Sequence, residues 1–165
     1  MTEDRVPFAL PDITDAEIEA VTRAMRSGWV TSGPEMVAFE REFAAHVGGQ
    51  VEAVAVNSAT AGLHLALEAG GIGPGDEVIV PTWTFTATAE VVRYLGAVPV
   101  LVDVDPITLN IDMQRVADAL TPATKAVIPV HLAGLGVDIA ALRAIVGQNV
   151  RIIEDAAHAL PTVTD

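Results

Sequence analysis

The sequence predicts an α/β fold in which a mostly parallel sheet carries helices on both faces. Short β-branched runs alternate with segments whose apolar residues repeat at helical spacing, and this alternation recurs about five times. The chain has 165 residues, of which 51% are hydrophobic, so it can bury a sizeable core. We therefore expect residues 1–165 to form a single domain, with ligands bound where the strands end.

The elements are predicted in chain order from their start and stop signals. A first helix is expected to follow Asp12 and Thr14 and to end at Gly28, and a second to run from Glu35 to His46. Further helices are expected at 58–69, 86–94, 111–120 and 138–146. The predicted strands are AVAVN at 53–57, EVIVP at 77–81, VPVLVDV at 98–104, KAVIPV at 125–130 and VRIIE at 150–154.

The composition argues against several classes of partner. Nine Lys and Arg residues against 22 Asp and Glu give a net charge of −13, which repels nucleic acids and anionic membranes. No apolar run approaches the roughly 20 residues of a membrane span, and the opening residues lack the pattern of a secretory signal. With no cysteine, the chain forms no disulfide. We expect a soluble, cytoplasmic protein with no nucleic-acid or membrane partner.

A candidate phosphate site lies at the junction of the 53–57 segment and the next predicted helix. The sequence from Asn57 to Ala61 is NSATA, whose small residues leave backbone N–H groups open to an anion. Ser58 and Thr60 add hydroxyl donors. Ser58 is equally suited to be an ordinary helix N-cap, so both interpretations stay open.

Two further strand ends carry candidate ligand groups. Trp83 and Phe85 follow the 77–81 strand, where a ring could stack on a flat heteroaromatic ligand or pack in the core, and core packing is favoured more for Trp83. Asp155 follows the apolar 150–154 strand and could pair with a protonated pyridine nitrogen or cap a helix. His158 lies three residues on, where it could orient Asp155 or approach an oxygen of the ring. The three strand ends together match the three parts of one cofactor.

Metal binding and serine hydrolysis are disfavoured. No serine lies in a G-x-S-x-G elbow. The four histidines are widely spaced and form no familiar ligand pair: His46, His64, His131 and His158.

Six motifs occur together in one order, and with them the chain resembles the DegT-type nucleotide-sugar aminotransferases, a branch of the fold type I pyridoxal-phosphate enzymes. The resemblance covers nearly the whole chain and implies the large domain of the aspartate-aminotransferase-like fold. The motifs are SGWVTSGP at 27–34, NSATAGLHLAL at 57–67, PTWTFTATA at 81–89, DVDPITLNID at 103–112, PVHLAG at 129–134 and EDAAHAL at 154–160.

The resemblance implies specific roles at a pyridoxal 5'-phosphate site. Ser58, Thr60 and the Ala61 amide bind the phosphate, while Phe85 stacks on the pyridine ring. Asp155 pairs with the ring nitrogen.

Further roles concern the surroundings of the cofactor. His158 accompanies Asp155 beside the ring, and His131 shapes its loop without reacting. Trp29 and Thr31 lie in the substrate region, although a hydrophobic plug is an equally simple account of Trp29.

The family transfers an amino group from glutamate or a similar amino acid to a nucleotide-linked keto-sugar, and its members are homodimers. The lysine that forms the internal aldimine and the C-terminal small domain are expected beyond Asp165, so we expect the 165 residues alone to be inactive. Lys125, the one lysine, starts a predicted strand at the opposite edge. Two alternatives stay open: a sugar dehydratase of the same fold, in which a histidine replaces that lysine, and a non-catalytic relative that binds the cofactor or a nucleotide sugar.

Overall fold

The computed structural model describes residues 10–48, 50–160 and 162–163. The chain forms two compact units, Met1–Ala55 and Val56–Asp165, and each is described by itself. Residues 1–9, which were examined for a secretory signal, and residues 164–165, which end the given sequence, lie outside the described residues.

The first unit contains two helices whose ends are set by local capping. Helix α1 (Asp15–Ser27) begins at Thr14, whose side chain accepts from the Ala16 amide while Glu17 accepts from the Thr14 amide, which is a capping box. It ends at Gly28, which adopts a left-handed conformation (φ 74°). Helix α2 (Pro34–His46) has proline at its first position, where no amide hydrogen bond is lost. Both predicted helices are confirmed.

The second unit is a four-stranded parallel sheet with helices on both faces, as predicted. Its elements run in this order: α3 (Ala59–Ala69), β1 (Glu77–Pro81), α4 (Ala87–Tyr94), β2 (Val98–Val102), α5 (Met113–Ala119), β3 (Thr124–Val127), a 3₁₀ turn (Leu132–Gly134), α6 (Ile139–Val146) and β4 (Arg151–Ile152). The strand order is β2-β1-β3-β4, and every neighbouring pair is parallel.

Alternating side chains of the central strands build one core on each side of the sheet. Val78 and Val80 of β1 pack with Leu67 of α3 and Val91 of α4. On the other side, residues of β1 and β3 pack with α5 and α6 through Ile79, Val127, Val116 and Leu142. Because the central strands are buried on both faces, they appear in the sequence as continuous apolar runs.

The prediction of a strand at 53–57 is wrong. Ala53 and Ala55 are half-buried and Val54 and Val56 are exposed, so the expected alternation is present. In the described part of the chain no neighbouring strand pairs with this segment. Alternation alone does not supply the partner that a strand needs.

A tight turn connects β2 to α5 and is organised by one carboxylate. Asp105 Oδ1 accepts from the amides of Thr108 (2.8 Å) and Ile107 (3.0 Å) and from the Thr108 hydroxyl (3.0 Å). The hydrogen bond from the Thr108 amide, followed by those from the Ile107 amide and the Thr108 hydroxyl, lowers the pKa of the Asp105 carboxyl group. The turn ends at Leu109, a non-glycine residue with φ 59°.

We expect Leu67→Ala to lower the free energy of unfolding by about 2–5 kcal/mol, because it leaves a cavity in a fully buried part of the core. The matched control is Leu65→Ala in the same helix, where the side chain is largely exposed and the loss should stay below about 1 kcal/mol. Urea unfolding of both variants measures the difference. Equal losses would show that α3 does not face the core as described.

The Asp105 turn should lose stability in acid. Its folded pKa lies below the ordinary value, so its stabilisation is present above that value and is lost as the pH falls through the lowered folded pKa. Titration of the carboxyl carbon by NMR measures the pKa, and Asp105→Ala should remove this part of the acid dependence of unfolding. A midpoint at or above the ordinary value would contradict the hydrogen bonding described.

Candidate active site

A cavity of about 370 Å³ lies at the carboxyl ends of three adjacent strands. Its walls come from residues 82–85 after β1, residues 130 and 132 after β3, and residues 155, 157 and 158 after β4. Between β1 and β3 the strand order reverses, because β2 lies on the opposite side of β1. Open α/β sheets bind ligands at such switch points, so the topology and the cavity indicate the same place.

Asp155 lies in the wall of this cavity and is only 9% exposed. Its backbone is held on both sides, because its N–H donates to Pro129 O (2.9 Å) and its C=O accepts from the His131 amide (3.1 Å). Its carboxylate accepts from the Thr88 hydroxyl at 3.0 Å and from the Ala157 amide at 3.3 Å. The carboxylate is thus hydrogen-bonded, buried and oriented.

No cationic side chain among the described residues forms an ion pair with Asp155. The ion pairs found there join Arg41 to Glu42 and Arg115 to Asp118. A buried carboxylate is stabilised by a positive or hydrogen-bonding partner, and the cavity leaves room for such a group on a ligand.

Two aromatic side chains stand at the mouth of the cavity. Phe85 is 78% exposed and Trp83 59% exposed, and both line the cavity. Trp83 is the less exposed of the two, in the expected order, but neither ring packs in the core, because the chain leaves β1 at Pro81 and the following residues no longer alternate between the two packed faces. Both rings are accessible to a flat ligand.

His158 lines the same cavity and is exposed. The hydrogen bonds to the Asp155 carboxylate come from Thr88 and the Ala157 amide. The structure therefore brings Phe85, Asp155 and His158 together, while the orientation of Asp155 is accounted for by groups that the sequence interpretation did not name.

The predicted phosphate residues lie at the amino end of α3. Ser58 is the N-cap, and its Oγ accepts from the Ala61 amide at 3.2 Å. The first backbone hydrogen bond of the helix is donated by Gly62 to Ser58 O, so the amides of Ala59 and Thr60 precede it. The N-cap interpretation of Ser58 is confirmed, and the Ala61 amide already has a partner within the chain.

Chain direction places this helix end at the same edge of the sheet as the cavity. Helix α3 ends at Ala69, a few residues before β1 begins, and packs beside α4, which starts after β1 ends. Its amino end therefore points towards the carboxyl edge of the strands. Ser58, Thr60 and Ala61 do not themselves line the cavity described above.

His131 is buried (6% exposed), and both of its ring nitrogens have partners. Nδ1 accepts from the Val137 amide at 3.0 Å, which requires the neutral ring to carry its proton on Nε2. Nε2 then donates to Glu154 Oε2 at 2.9 Å. These bonds support the interpretation that His131 shapes its loop.

Asn110 holds the same loop from the other side. Its Oδ1 accepts from the Leu132 amide (3.2 Å) and its Nδ2 donates to Leu135 O (3.0 Å). Ala133 adopts φ 51°, a conformation that non-glycine residues rarely keep without such support. Leu132, one residue earlier, lines the cavity.

Trp29 and Thr31 lie in the first unit, between α1 and α2. They line a separate cavity of about 190 Å³ together with Ser27, Gly33, Pro34 and Glu35. Trp29 is 58% exposed, and its Nε1 donates to Ser32 O at 2.8 Å. A Cβ at Gly33 would collide with the indole ring, so the loop depends on glycine there. The hydrophobic-plug account of Trp29 finds no support in this exposure.

Other groups contribute little to the cavity. Lys125 is exposed in β3, and its Nζ donates to Pro122 O at 3.0 Å. Within residues 10–48, 50–160 and 162–163, no group of three or more His, Asp or Glu side chains is placed to hold a metal ion. Over the same residues, no helix has the length and apolarity to cross a bilayer.

Sequence reasoning missed several residues of the cavity and its support. Thr82 and Thr84 belong to an alternating series that continues to Thr86 and Thr88, and the series itself was a signal of polar residues beyond the strand. Val130 and Leu132 form an apolar part of the cavity wall. No feature of the sequence distinguishes these two residues from ordinary strand and loop positions.

Comparison with known proteins identifies the class. Spr1654 of Streptococcus pneumoniae, solved in its pyridoxal-phosphate form, superimposes with a TM-score of 0.88 at 39% identity, covering 94% of this chain and 44% of that one. The 3-amino-5-hydroxybenzoic acid synthase superimposes with a TM-score of 0.83 at 47% identity, covering 92% and 40%. The fold is that of the large domain of fold type I pyridoxal-phosphate enzymes.

The family follows from the sequence comparison. Residues 11–165 match the DegT/DnrJ/EryC1/StrS aminotransferase family. The chain is 52% identical over 159 residues to the spore coat polysaccharide biosynthesis protein SpsC of Bacillus subtilis, covering 95% of this chain and 40% of SpsC. The chain belongs to the DegT/DnrJ/EryC1/StrS aminotransferase family. It spans about two fifths of the length of these relatives.

We expect His131→Leu to destabilise the fold by about 1–3 kcal/mol, because it leaves the buried Val137 amide without an acceptor. His131→Asn keeps an acceptor close to the position of Nδ1 and should recover part of the loss. His158→Leu, at an exposed histidine, should change stability by less than about 0.5 kcal/mol. Thermal or urea unfolding checks the order, and equal effects at the two histidines would contradict the role given to His131.

Proposed function

We propose that the protein to which this chain belongs is a pyridoxal-phosphate-dependent aminotransferase that moves an amino group from an amino acid to a nucleotide-linked keto-sugar. The observation that carries the proposal is the Asp155 carboxylate, buried at a strand end and facing a cavity with an accessible aromatic rim. Family membership and neighbours solved in pyridoxal-phosphate and pyridoxamine-phosphate forms support the cofactor.

The residues of the cavity fit the ring of pyridoxal phosphate. A pyridine nitrogen that carries a proton matches a buried carboxylate with no cationic partner of its own among the described residues. When bound, the cofactor supplies an electron sink for the carbon from which a proton is removed. Asp155 would keep the proton on the ring nitrogen, and Phe85 would offer a flat apolar surface to the ring.

The amino end of α3 fits the phosphate. The amides of Ala59 and Thr60 precede the first hydrogen bond of the helix, and the helix dipole adds partial positive charge there. Ser58 and Thr60 offer hydroxyl groups in the same turn. The engagement of the Ala61 amide by Ser58 makes Ala61 the weakest member of the proposed set, because a phosphate oxygen would have to replace Ser58 Oγ.

The substrate class is supported by the relatives. SpsC is named for spore coat polysaccharide biosynthesis, and Spr1654 is described as a sugar aminotransferase. We therefore propose a keto-sugar acceptor joined to a nucleotide and an amino-acid donor such as glutamate. Trp29 and Thr31 remain proposed for the substrate region, and His158 is proposed to stand beside the cofactor ring.

The remaining parts of the proposal concern the rest of the protein. They are a lysine beyond Asp165 that binds the cofactor covalently, a C-terminal small domain, a homodimer and a cytoplasmic location. The length covered in the relatives leaves room for both the lysine and the second domain. Lys125, exposed and engaged with Pro122, does not fit the role of that lysine.

An absorbance scan with added pyridoxal phosphate, before and after borohydride, tests the proposal on the 165-residue chain and on the protein encoded by its whole reading frame. We expect the longer protein to gain a visible band that borohydride removes. Binding without such a band would favour the non-catalytic relative or a dehydratase, and product analysis with a nucleotide-linked keto-sugar separates these two. No spectral change in either protein would overturn the proposed site.

We expect Asp155→Asn to lower kcat/KM by about 100-fold or more, because a neutral amide cannot hold a proton on the ring nitrogen by charge. Asp118→Asn is the matched control, since Asp118 is an exposed carboxylate on α5 with partners on its own helix. The rate of amino transfer by both variants is compared with that of the unaltered protein. Similar rates for the two variants would remove Asp155 from the mechanism.

A further inference from the structure

The Asp155 carboxylate is connected to a chain of two threonine hydroxyls. Thr88 Oγ1 lies 3.0 Å from Asp155 Oδ2, and Thr84 Oγ1 lies 2.7 Å from Thr88 Oγ1. A carboxylate only accepts hydrogen bonds, so the single hydroxyl proton of Thr88 is donated to Asp155. Thr88 must then accept from Thr84. The chain therefore has one direction, from Thr84 through Thr88 to Asp155.

The hydroxyl of Thr88 bonds to a residue that is distant in the sequence. It is fully buried in the first turn of α4, 67 residues from Asp155 in sequence. A threonine inside a helix commonly returns its hydroxyl proton to a backbone carbonyl of the preceding turn. Thr22 in the middle of α1 does this, donating to Ile18 O at 2.7 Å. Thr88 has no helical turn before it, and its hydroxyl is donated to the side chain of Asp155.

The two donors on Asp155 restrict the rotation of its carboxylate. The terminal torsion of aspartate is broad, so a carboxylate without fixed donors samples a range of orientations. Thr88 holds Oδ2 and the Ala157 amide holds Oδ1, each from a different element. The edge of the carboxylate that faces the cavity is thereby fixed relative to both α4 and the strand end of β4.

We propose that Thr88 is a positioning residue that fixes the Asp155 carboxylate for the cofactor ring, with Thr84 completing the hydrogen bonding of Thr88. The inference rests on the proposed function, because the ring nitrogen is the group towards which the carboxylate is directed. Thr88 does not line the cavity and acts through Asp155. Its removal should affect cofactor affinity and turnover more than sugar binding.

The test uses the full-length holoenzyme and three substitutions. Thr88→Val has nearly the same shape and removes the hydroxyl, Thr88→Ser keeps the hydroxyl, and Thr86→Val is the matched control. Thr86 is exposed, lies two residues away and makes no side-chain cap on α4. The dissociation constant of pyridoxal phosphate is measured by titration of the apoprotein, kcat and KM are measured for amino transfer, and melting of each apoprotein reports folding.

We expect Thr88→Val to raise the dissociation constant of pyridoxal phosphate about tenfold and to lower kcat by a similar factor, the size of one hydrogen bond to a charged group. KM for the sugar should stay within about twofold. Thr88→Ser should recover most of both losses, and Thr86→Val should match the unaltered protein. A purely structural role would lower the melting temperature while leaving cofactor affinity and the split between kcat and KM unchanged.

Three results would overturn the inference. Unaltered affinity and kcat in a folded Thr88→Val protein would remove the positioning role while leaving the proposed function intact. A folded Thr88→Ser protein whose cofactor affinity and kcat fall about tenfold below those of the unaltered protein would do the same, and this comparison does not require that Thr88→Val folds. Absence of pyridoxal-phosphate binding by the unaltered protein would instead reject the proposed function, and the positioning role with it.

Discussion

The site depends on keeping one carboxylate in the interior of the protein. A carboxylate removed from water is costly unless hydrogen bonds or a positive charge replace its hydration. The carboxylate of Asp155 accepts from the Thr88 hydroxyl and from the Ala157 amide. The backbone of Asp155 is hydrogen-bonded to Pro129 and His131. The ends of β3 and β4 and the first turn of α4 are therefore tied to the same residue, and a change in any of them alters the position of the charge.

The parallel sheet explains why distant segments meet at this carboxylate. Strands β1, β3 and β4 are adjacent and run in one direction, so the residues that follow them emerge at one edge. The reversal of strand order between β1 and β3 separates the connections on the two faces and leaves a crevice between them. Leu67 packs on one face of the sheet and Leu142 on the other, and this packing holds in place the strands that line the crevice.

Sequence periodicity predicted most of the secondary-structure elements but not the contacts between them. The four paired strands and the six helices of the described residues lie within a few residues of their predicted positions, because the apolar period and the capping residues belong to each segment by itself. The 53–57 segment has the period of a strand, but no strand among the described residues pairs with it, which no local pattern reveals. The bond from Thr88 to Asp155 spans 67 residues, so it follows from the assembled sheet rather than from any motif.

Two neighbouring carboxylates after β4 have different surroundings: Glu154 is hydrogen-bonded to His131, and Asp155 lines the cavity. Successive side chains of an extended chain point to opposite sides, so these neighbouring carboxylates meet different surroundings. Glu154 binds His131, whose other nitrogen accepts from Val137, and this histidine has no nitrogen left for a ligand. Asp155 faces the cavity, as does the exposed His158. Of the two histidines of this region, His158 is therefore the one that can contact a bound molecule without breaking the support of the loop.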